Sequence, residues 1–439
     1  MIYPYSSTKS GLTGRILRGI IILENDKKWV FMVKKETEIN IGASIARHRK
    51  RQGLTQSQLA KMLCVSNKTV SKWERGFGYP EITQLLSLSR ILGTTIDALM
   101  KSERYGITVA GCLVDDRIKL IDFYPKMSMQ SIVYSISHGV GGGVPNVSID
   151  LSKIDRSLKV NAVGRVGNDG DGRYLIDELR KNNVDISGVI VSETAGTSFT
   201  DVMTVRQSGE RTFFHYRGAN AEFCPEDVDV SSLDCKMVHV AYILMLEKMD
   251  ESDAEYGTVM ARFLKDLQEA GIMTSIDVVS DTRGLFAEKV IPALRYTDNA
   301  IMNELESCGV SGLAPRDENG KINIENIKKT MEIIMEKGVS QRVIVHCPEA
   351  GFCLNKSGQF TMVPSIKLPK GYIKGAVGAG DAFCAGCLYG IYKGFDDKTI
   401  LEFASGAACC NLSSVDSVSG MRDKDYIFDF ISKHERVKI

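Results

Sequence analysis

Neither charge sign is in excess in this 439-residue chain: 55 basic residues stand against 54 acidic ones, a net charge of +1. That balance excludes a global basic field of the kind that holds nucleic acid, so any contact with DNA must come from a local patch. Long apolar runs are missing too. The longest near the N-terminus, Gly19 to Leu23, falls far short of a membrane span, and its flanks offer no cleavage site, so neither membrane insertion nor secretion is expected. The 11 cysteines are an odd number without a paired Cys-x-x-Cys pattern, which argues against a zinc module and for a reducing cytoplasm. Two familiar phosphate loops are absent as well. The glycines at 375 to 386 are not followed by Lys-Ser/Thr, and Phe383 occupies the place of the third glycine of a dinucleotide fingerprint.

What is present there reads Gly-Ala-Val-Gly-Ala-Gly-Asp-Ala-Phe-Cys-Ala-Gly from Gly375 to Gly386. Gly378, Ala379 and Gly380 carry little side chain, so their N–H groups can turn toward one point, and the small apolar run after them predicts a buried helix starting near Asp381. Cys384 and Cys387 fall inside that helix, where they serve as small apolar residues. A carboxylate at such a helix start, beside an anion hole, can take the proton of a substrate hydroxyl during phosphoryl transfer. An Asp that merely caps a helix is the plainer alternative.

The 44% hydrophobic content and the length imply a globular chain of two or three domains. Residues 1–38 carry no clear periodicity, although Ile20 to Leu23 and Trp29 to Val33 could pair around Asn25-Asp26, and Met32 is an alternative translation start. Residues 39–100 read as about five short helices broken at Gly53-Leu54, Val65-Ser66, Gly76 to Pro80 and Gly93-Thr94. Thr55 caps one helix and Ser66 the next, with Val70 and Trp73 facing inward, which is a helix-turn-helix. The outward residues Asn67, Lys68, Thr69, Ser71 and Lys72 are short or basic, as contact with base edges and phosphates requires, and Arg47 to Arg51 add local positive charge. A docking bundle with a solvated polar face is the competing expectation. Leu54 to Ala60 and Ser66 to Gly76 resemble the phage-repressor type of helix-turn-helix domain. That resemblance implies that the helix from Ser66, with Asn67, Lys68, Thr69 and Lys72, reads a double-stranded DNA operator, and that Gln56 supports it at the backbone.

After a polar hinge at 101–106, residues 107–439 alternate strand and helix patterns. Ile107 to Ala110 reads as a buried strand ending at Gly111, with Asp115-Asp116 in the following loop; Gly141 to Asn146 precedes a helix through Ile149 and Leu151. Glycines there let a polyol approach the backbone, and Asn146 can both donate to and accept from hydroxyls. Asn303 to Glu306 follows a strand and reads equally as a capping box. Together with Gly-Ala-Gly-Asp at 378 to 381, these segments resemble, in order, the motifs of the ribokinase-like (PfkB) sugar kinases. Gly111 with Asp116 matches the first substrate motif, Gly142-Gly143 with Asn146 the second, Gly164 to Gly172 a further loop, and Asn303 with Glu306 the Asn-x-x-Glu motif.

The resemblance implies an α/β fold with a central, mostly parallel sheet flanked by helices and a small β lid, here preceded by the small all-α domain. It implies Asp381 as base, with Gly378, Ala379 and Gly380 as the anion hole. Asp116, Gly142, Gly143 and Asn146 would hold a sugar or nucleoside, while Asn303 and Glu306 would organise ATP and Mg2+, Glu306 through water. Strands around Lys119 to Ser137 and between Ser198 and Asn220 would form the lid, which in some members clasps a homodimer. Two departures stand out. Gly375-Ala376 replaces the Asp-Thr that helps form a monovalent-cation site, leaving that cofactor open, and His346-Cys347-Pro348 replaces a Thr-x-Gly near the nucleotide. The expected protein is a cytoplasmic ATP-dependent sugar kinase joined to a DNA-binding domain; the alternative is a sugar- or nucleotide-sensing regulator on a kinase fold without turnover.

Overall fold

The computed structural model describes residues 20–22, 30–32, 41–100, 104–280 and 283–439. The chain divides into two compact units, Met1–Glu103 and Arg104–Ile439. In the first, β1 (Ile20–Ile22) pairs antiparallel with β2 (Val30–Met32), Ile20 opposite Met32. The expected turn at Asn25-Asp26 and the hinge residues Lys101 to Glu103 lie outside the described residues.

Five helices follow: α1 (Ile41–Arg51), α2 (Gln56–Met62), α3 (Asn67–Glu74), α4 (Ile82–Ile91) and α5 (Ile96–Met100). The Thr55 side chain accepts from the Gln58 N–H while the Gln58 side chain accepts from the Thr55 N–H at 2.8 Å, a capping box that starts α2. Ser66 accepts from the Thr69 N–H at 3.1 Å and starts α3. Ile45, Leu59, Val70, Trp73, Leu88 and Leu99 meet in one buried cluster, so each helix contributes its apolar stripe to a single core. Arg49 departs from expectation. Rather than adding surface charge, it is 8% exposed and forms a forked ion pair with Glu74, Nε to Oε1 at 2.6 Å and Nη2 to Oε2 at 3.0 Å. An Arg in a helical interior persists when such a fork satisfies it.

The second unit is built on a nine-stranded sheet. β3 (Ile107–Gly111) lies near its middle and pairs in parallel with β6 (Val160–Gly167) and β10 (Met237–Ile243). Two strands between β3 and β6 leave this sheet for another: β4 (Val114–Ile121) and β5 (Val133–Gly141). α6 (Gly143–Ile154) then leads to β6, and α7 (Gly170–Lys181) to the edge strand β7 (Asp185–Ser192). β8 (Phe199–Val205) and β9 (Arg211–Tyr216) complete the second sheet, whose order is β5-β4-β8-β9. Beyond β10, a small ribbon of β11 (Ser252–Asp253) and β12 (Gly257–Thr258) precedes α8 (Val259–Glu269). The sheet continues in parallel with β13 (Met273–Val278), β14 (Asn299–Asn303) and β15 (Arg342–His346), and ends in an antiparallel hairpin of β16 (Ala350–Asn355) and β17 (Phe360–Pro364). Helices α9 (Ile291–Leu294), α10 (Glu304–Ser311) and α11 (Ile324–Glu336) fall between those strands, and α12 (Ala379–Lys393), α13 (Asp397–Asn411) and α14 (Lys424–Lys433) close the chain.

β3 is buried along its whole length, as a strand covered on both faces must be. Its alternate residues join different cores: Ile107 and Val109 pack with α6, α12 and α13, and Ala110 with the cluster of α8 and α11. The sheet is therefore a layer between two helical layers.

Two local expectations are corrected. Asp115 and Asp116 are not in a loop, because only Cys112 and Leu113 separate β3 from β4, whose backbone pairs with β5 on one side and β8 on the other. The glycine turn is also shorter than expected, since α6 already begins at Gly143. Pro145 fits there because the first helical turn needs no acceptor for a missing N–H. Gly142 (φ 77°) and Gly143 are demanded by packing: a Cβ would lie 2.6 Å from the Cys112 carbonyl oxygen in the first case and 2.3 Å from the Ala241 Cβ in the second.

Candidate active site

Parallel strands end at the same edge of a sheet, so Tyr242 of β10, Asp277 of β13, Asn303 of β14 and His346 of β15 gather at one rim. The first turns of α6 and α12 reach the same place. Asn146 Nδ2 donates to Asp381 Oδ2 at 2.8 Å, and the Tyr242 hydroxyl donates to Asp381 Oδ1 at 2.6 Å, so each carboxylate oxygen of Asp381 is held from a different element. Burial pushes the Asp381 carboxyl above the usual carboxylate range, while these two donors oppose the rise. Asn146 Oδ1 is buried with no hydrogen-bond partner, an acceptor aimed at no protein group.

Gly378 is the N-cap of α12 in the left-handed region, φ 74°, where a Cβ would lie 2.6 Å from the Ser417 carbonyl oxygen. The Ala382 N–H makes the first intrahelical bond, to Gly378 O at 2.8 Å, which leaves the N–H groups of Gly380 and Asp381 at the open end of the helix. Gly380 differs from Gly378, because a Cβ there would meet nothing closer than the His346 ring at 3.5 Å. Protein packing alone does not require that glycine. His346, where a Thr-x-Gly was expected, stacks at a tilt on Phe383 with ring centroids 4.8 Å apart, and burial pushes its pKa down to about 4, so the ring beside the anion loop is neutral.

Asp116 lies in a row across the lid: Gly139 of β5, Asp116 of β4, Thr200 of β8 and His215 of β9 are direct cross-strand partners. His215 Nδ1 and Thr200 Oγ1 are 3.0 Å apart, and the His215 ring is exposed. Burial, with the nearby charges of Asp115 and Asp381, pushes the Asp116 carboxyl up to about 7. Asp115, on the opposite face of β4, faces Arg117 and His138 instead; Arg117 also pairs with Asp171 and covers the Phe199 ring at 3.8 Å.

Asn303 and Glu306 form a full capping box on α10. Asn303 Oδ1 accepts from the N–H groups of Leu305 and Glu306, while Glu306 Oε2 accepts from the Asn303 N–H at 2.9 Å. The Ser280 hydroxyl and Asn303 Nδ2 donate to Glu306 Oε1 at 3.0 and 2.7 Å. Burial pushes Glu306 up to about 7 despite these donors, and Asp277 beside it is raised too, by burial and by the Glu306 charge. The Glu306 carboxylate, raised by burial and by the Asp381 charge, suits a divalent cation with oxygen ligands.

In the helical unit, Ser66, Asn67, Lys68 and Lys72 are exposed and Thr69 is half-buried. Gln56 Nε2 donates to Glu74 Oε2 at 2.7 Å, so its side chain braces α2 against α3.

Residues 112–424 match the family described as pfkB family carbohydrate kinase, and residues 45–99 match a helix-turn-helix family. The chain belongs to the pfkB carbohydrate kinases. Curated relatives include the 5-dehydro-2-deoxygluconokinase of Geobacillus thermodenitrificans, 24% identical over 298 residues (66% of this chain, 84% of the relative), and fructokinase-1 of Zea mays, 24% identical over 297 residues (66% and 87%). The fold is shared with the ribokinase of Arabidopsis thaliana solved with ribose and ATP, at a TM-score of 0.63, 18% identity and coverage of 74% of this chain and 98% of that one. An E. coli protein assigned as a ribokinase II, solved with ATP and Mg2+, gives 0.59, 19% identity, and 75% and 100% coverage. The kinase unit thus has the expected ribokinase-like sheet and lid. No helix among the described residues is long and apolar enough to cross a membrane.

Tyr242, Thr200 and His215 are the neighbours of Asp381 and Asp116 that motif spacing missed. Tyr242 ends a strand with no signature around it, and the other two become neighbours of Asp116 only through the lid register.

Proposed function

We propose that this carbohydrate kinase transfers the γ-phosphoryl group of ATP to a hydroxyl of a sugar or nucleoside, with Asp381 as the base. The observation that carries the reading is Asp381 itself: buried at the start of α12, oriented by Asn146 and Tyr242, beside the open N–H groups of Gly380 and Asp381. A carboxylate has about four acceptor positions, so the two donors leave room for the substrate hydroxyl. Asp381 takes its proton as the oxygen attacks phosphorus, and the N–H groups of the Gly378 to Asp381 turn stabilise charge on the transferred group. Mg2+ bound with ATP supplies charge neutralisation at the phosphates. Glu306 would hold it through water, and Asn303 keeps that carboxylate oriented. A phosphorylation screen over pentoses, hexoses, sugar acids and nucleosides with Mg-ATP tests the reading. If sugars bind and none is phosphorylated, the protein is a sensor on a kinase fold.

Asp116 and Asn146 hold the sugar in this proposal, with Thr200 and His215 extending the polar row. Asp116→Ala removes a charged acceptor worth about 1.5–3 kcal/mol, so the sugar KM should rise about 10- to 150-fold, and His215→Ala should raise it by up to about tenfold, with the KM for ATP unchanged. Unchanged sugar KM in both variants would place the sugar elsewhere.

Asp116 also carries a pH signature. Its folded pKa of about 7 lies above the unfolded value of about 4, so the unliganded native state binds more protons between these limits. The contribution to stability is therefore largest at low pH and is lost as pH rises from about 4 to about 7. Melting temperatures over that range should fall less steeply in Asp116→Asn than in the wild type. Parallel curves would reject the raised carboxyl.

The helix-turn-helix would place α3 in the major groove of an operator, with Asn67, Lys68, Thr69 and Lys72 reaching bases and phosphates and Ser66 and Gln56 supporting them. Ile136 and Phe214, exposed on the lid face opposite Asp116, suit a homodimer clasp that would set the spacing of two such readers. Sugar closure would then alter operator affinity, and linkage makes the effect reciprocal, typically 5- to 150-fold. The operator would be selected from random DNA and titrated by anisotropy at fixed salt, with and without sugar and a non-hydrolysable ATP analogue. Equal affinities would leave a kinase with an independent DNA reader.

A further inference from the structure

Below the candidate active site, His239 of β10, Asp277 of β13 and Cys384 of α12 bring one ligand atom each to within 4.8 Å of one another. His239 and Cys384 are fully buried and Asp277 is 9% exposed. We propose that these three side chains bind a transition-metal ion of the Zn2+ class, distinct from the Mg2+ that accompanies ATP.

The donor set carries the assignment. An imidazole, a thiol and a carboxylate are the ligands of Zn2+ and its neighbours, whereas Mg2+ takes oxygen alone and binds at Glu306 in the reading above. The spacing agrees. His239 Nε2 lies 3.4 Å from Cys384 Sγ. Bonds of about 2.0 Å to nitrogen and about 2.3 Å to sulfur at a tetrahedral angle put those atoms about 3.5 Å apart. His239 is also oriented as a metal-binding histidine usually is, its second ring nitrogen, Nδ1, 3.1 Å from the Ser275 hydroxyl, which leaves Nε2 directed at the thiol.

The three ligands come from two adjacent parallel strands and one helix, so the sheet register and the seating of α12 fix their convergence. Asp115, His138 and Asp171 also cluster, but the Arg117 guanidinium already bonds Asp115 and Asp171, so that group has its cation within the chain. Binding at the three-residue site displaces the Cys384 thiol proton, and any proton held by the raised Asp277 carboxyl, to solvent and involves no change of oxidation state. Cys384 lies one turn after Asp381 on α12, so an occupied site would pin the catalytic helix to β10 and β13.

The test uses the full chain, reduced, stripped with a chelator and then titrated with Zn2+ or Co2+. One equivalent should bind, the Co2+ form should show a thiolate-to-metal absorption band in the near ultraviolet, and Zn2+ should raise the melting temperature. Cys384→Ala should abolish the band, and Ser275→Ala, a change outside the ligand set, should weaken Zn2+ binding about 10- to 100-fold. If the wild type takes up no metal at micromolar free concentration, or binds Co2+ without the thiolate band, the site does not exist. Wild-type affinity in Ser275→Ala, or an unchanged band in Cys384→Ala, would place the metal on another thiol such as the exposed Cys64 and would equally overturn the proposal. Should Cys384→Ala fail to fold, the wild-type spectrum and the Ser275 variant still decide it.

Discussion

Asp381→Asn should lower kcat by at least about a hundredfold while the protein remains folded and still binds sugar. The substitution keeps the shape of the side chain and removes its capacity to accept a proton. Its hydrogen bonds can survive. Tyr242 can still donate to the remaining oxygen, and Asn146, whose Oδ1 is buried without a partner, can turn its amide to accept from the new NH2 group. Stability should move the other way. Burial raises the folded pKa of Asp381 above its unfolded value, so the group costs stability once pH exceeds the unfolded value of about 4, and the neutral amide avoids that cost. The expected pair of results at neutral pH is thus a large loss of turnover with a melting temperature equal to or above wild type, the exchange seen where an active site is held against its own stability. Steady-state kinetics with a sugar found by the screen, together with thermal melts, would check both halves. Near wild-type turnover would remove Asp381 as the base. Lost turnover with lost sugar binding would show instead that the carboxylate positions substrate.

The parts of this site legible in the sequence are those in which local backbone and chemistry coincide. Gly378 to Asp381 must turn and start a helix, and Asn303 to Glu306 must cap one, so both announce themselves over four residues. Asp116 was visible as a residue but not as part of a strand, because the two-residue link Cys112-Leu113 gives no turn signal and β4 is held by partners remote in the chain. Thr200 and His215 show why the proposed sugar pocket stays hidden: their relation to Asp116 is a cross-strand register, fixed by pairings over tens of residues and by no local pattern. Gly142 and Gly143 teach a related lesson. The sequence suggested close approach of a ligand, and the close approach the fold demands is that of Cys112 and Ala241. Arg49 is hidden for the opposite reason, since a basic run looks uniformly exposed until a helix turns one member inward.

That inward turn makes Arg49→Met the substitution with the largest expected effect on the helical unit. Glu74 receives both arms of Arg49 and the amide of Gln56, with side-chain exposures of only 10% for Arg49 and 6% for Glu74. Methionine fills much of the volume but leaves the Glu74 carboxylate buried with Gln56 and no opposite charge from Arg49. Breaking a buried pair from one side costs about 3–5 kcal/mol. A unit whose described residues form five short helices around ten buried apolar side chains has little stability in reserve, so that loss is enough to unfold much of its population. Replacing Glu74 by Gln in the same molecule removes the stranded charge and should recover part of the loss, which a mere packing defect at Arg49 would not allow. The readouts separate the two units. Operator binding should fail in Arg49→Met and return in part in the double variant, while sugar phosphorylation, carried by residues from Gly106 onward, should keep its wild-type rate. Retained operator affinity in the single variant would mean that the Arg49–Glu74 fork contributes little to the fold of the reader. A fall in phosphorylation that tracks the melting of the helical unit would show that the kinase depends on it, and would favour the coupled regulator over two independent modules.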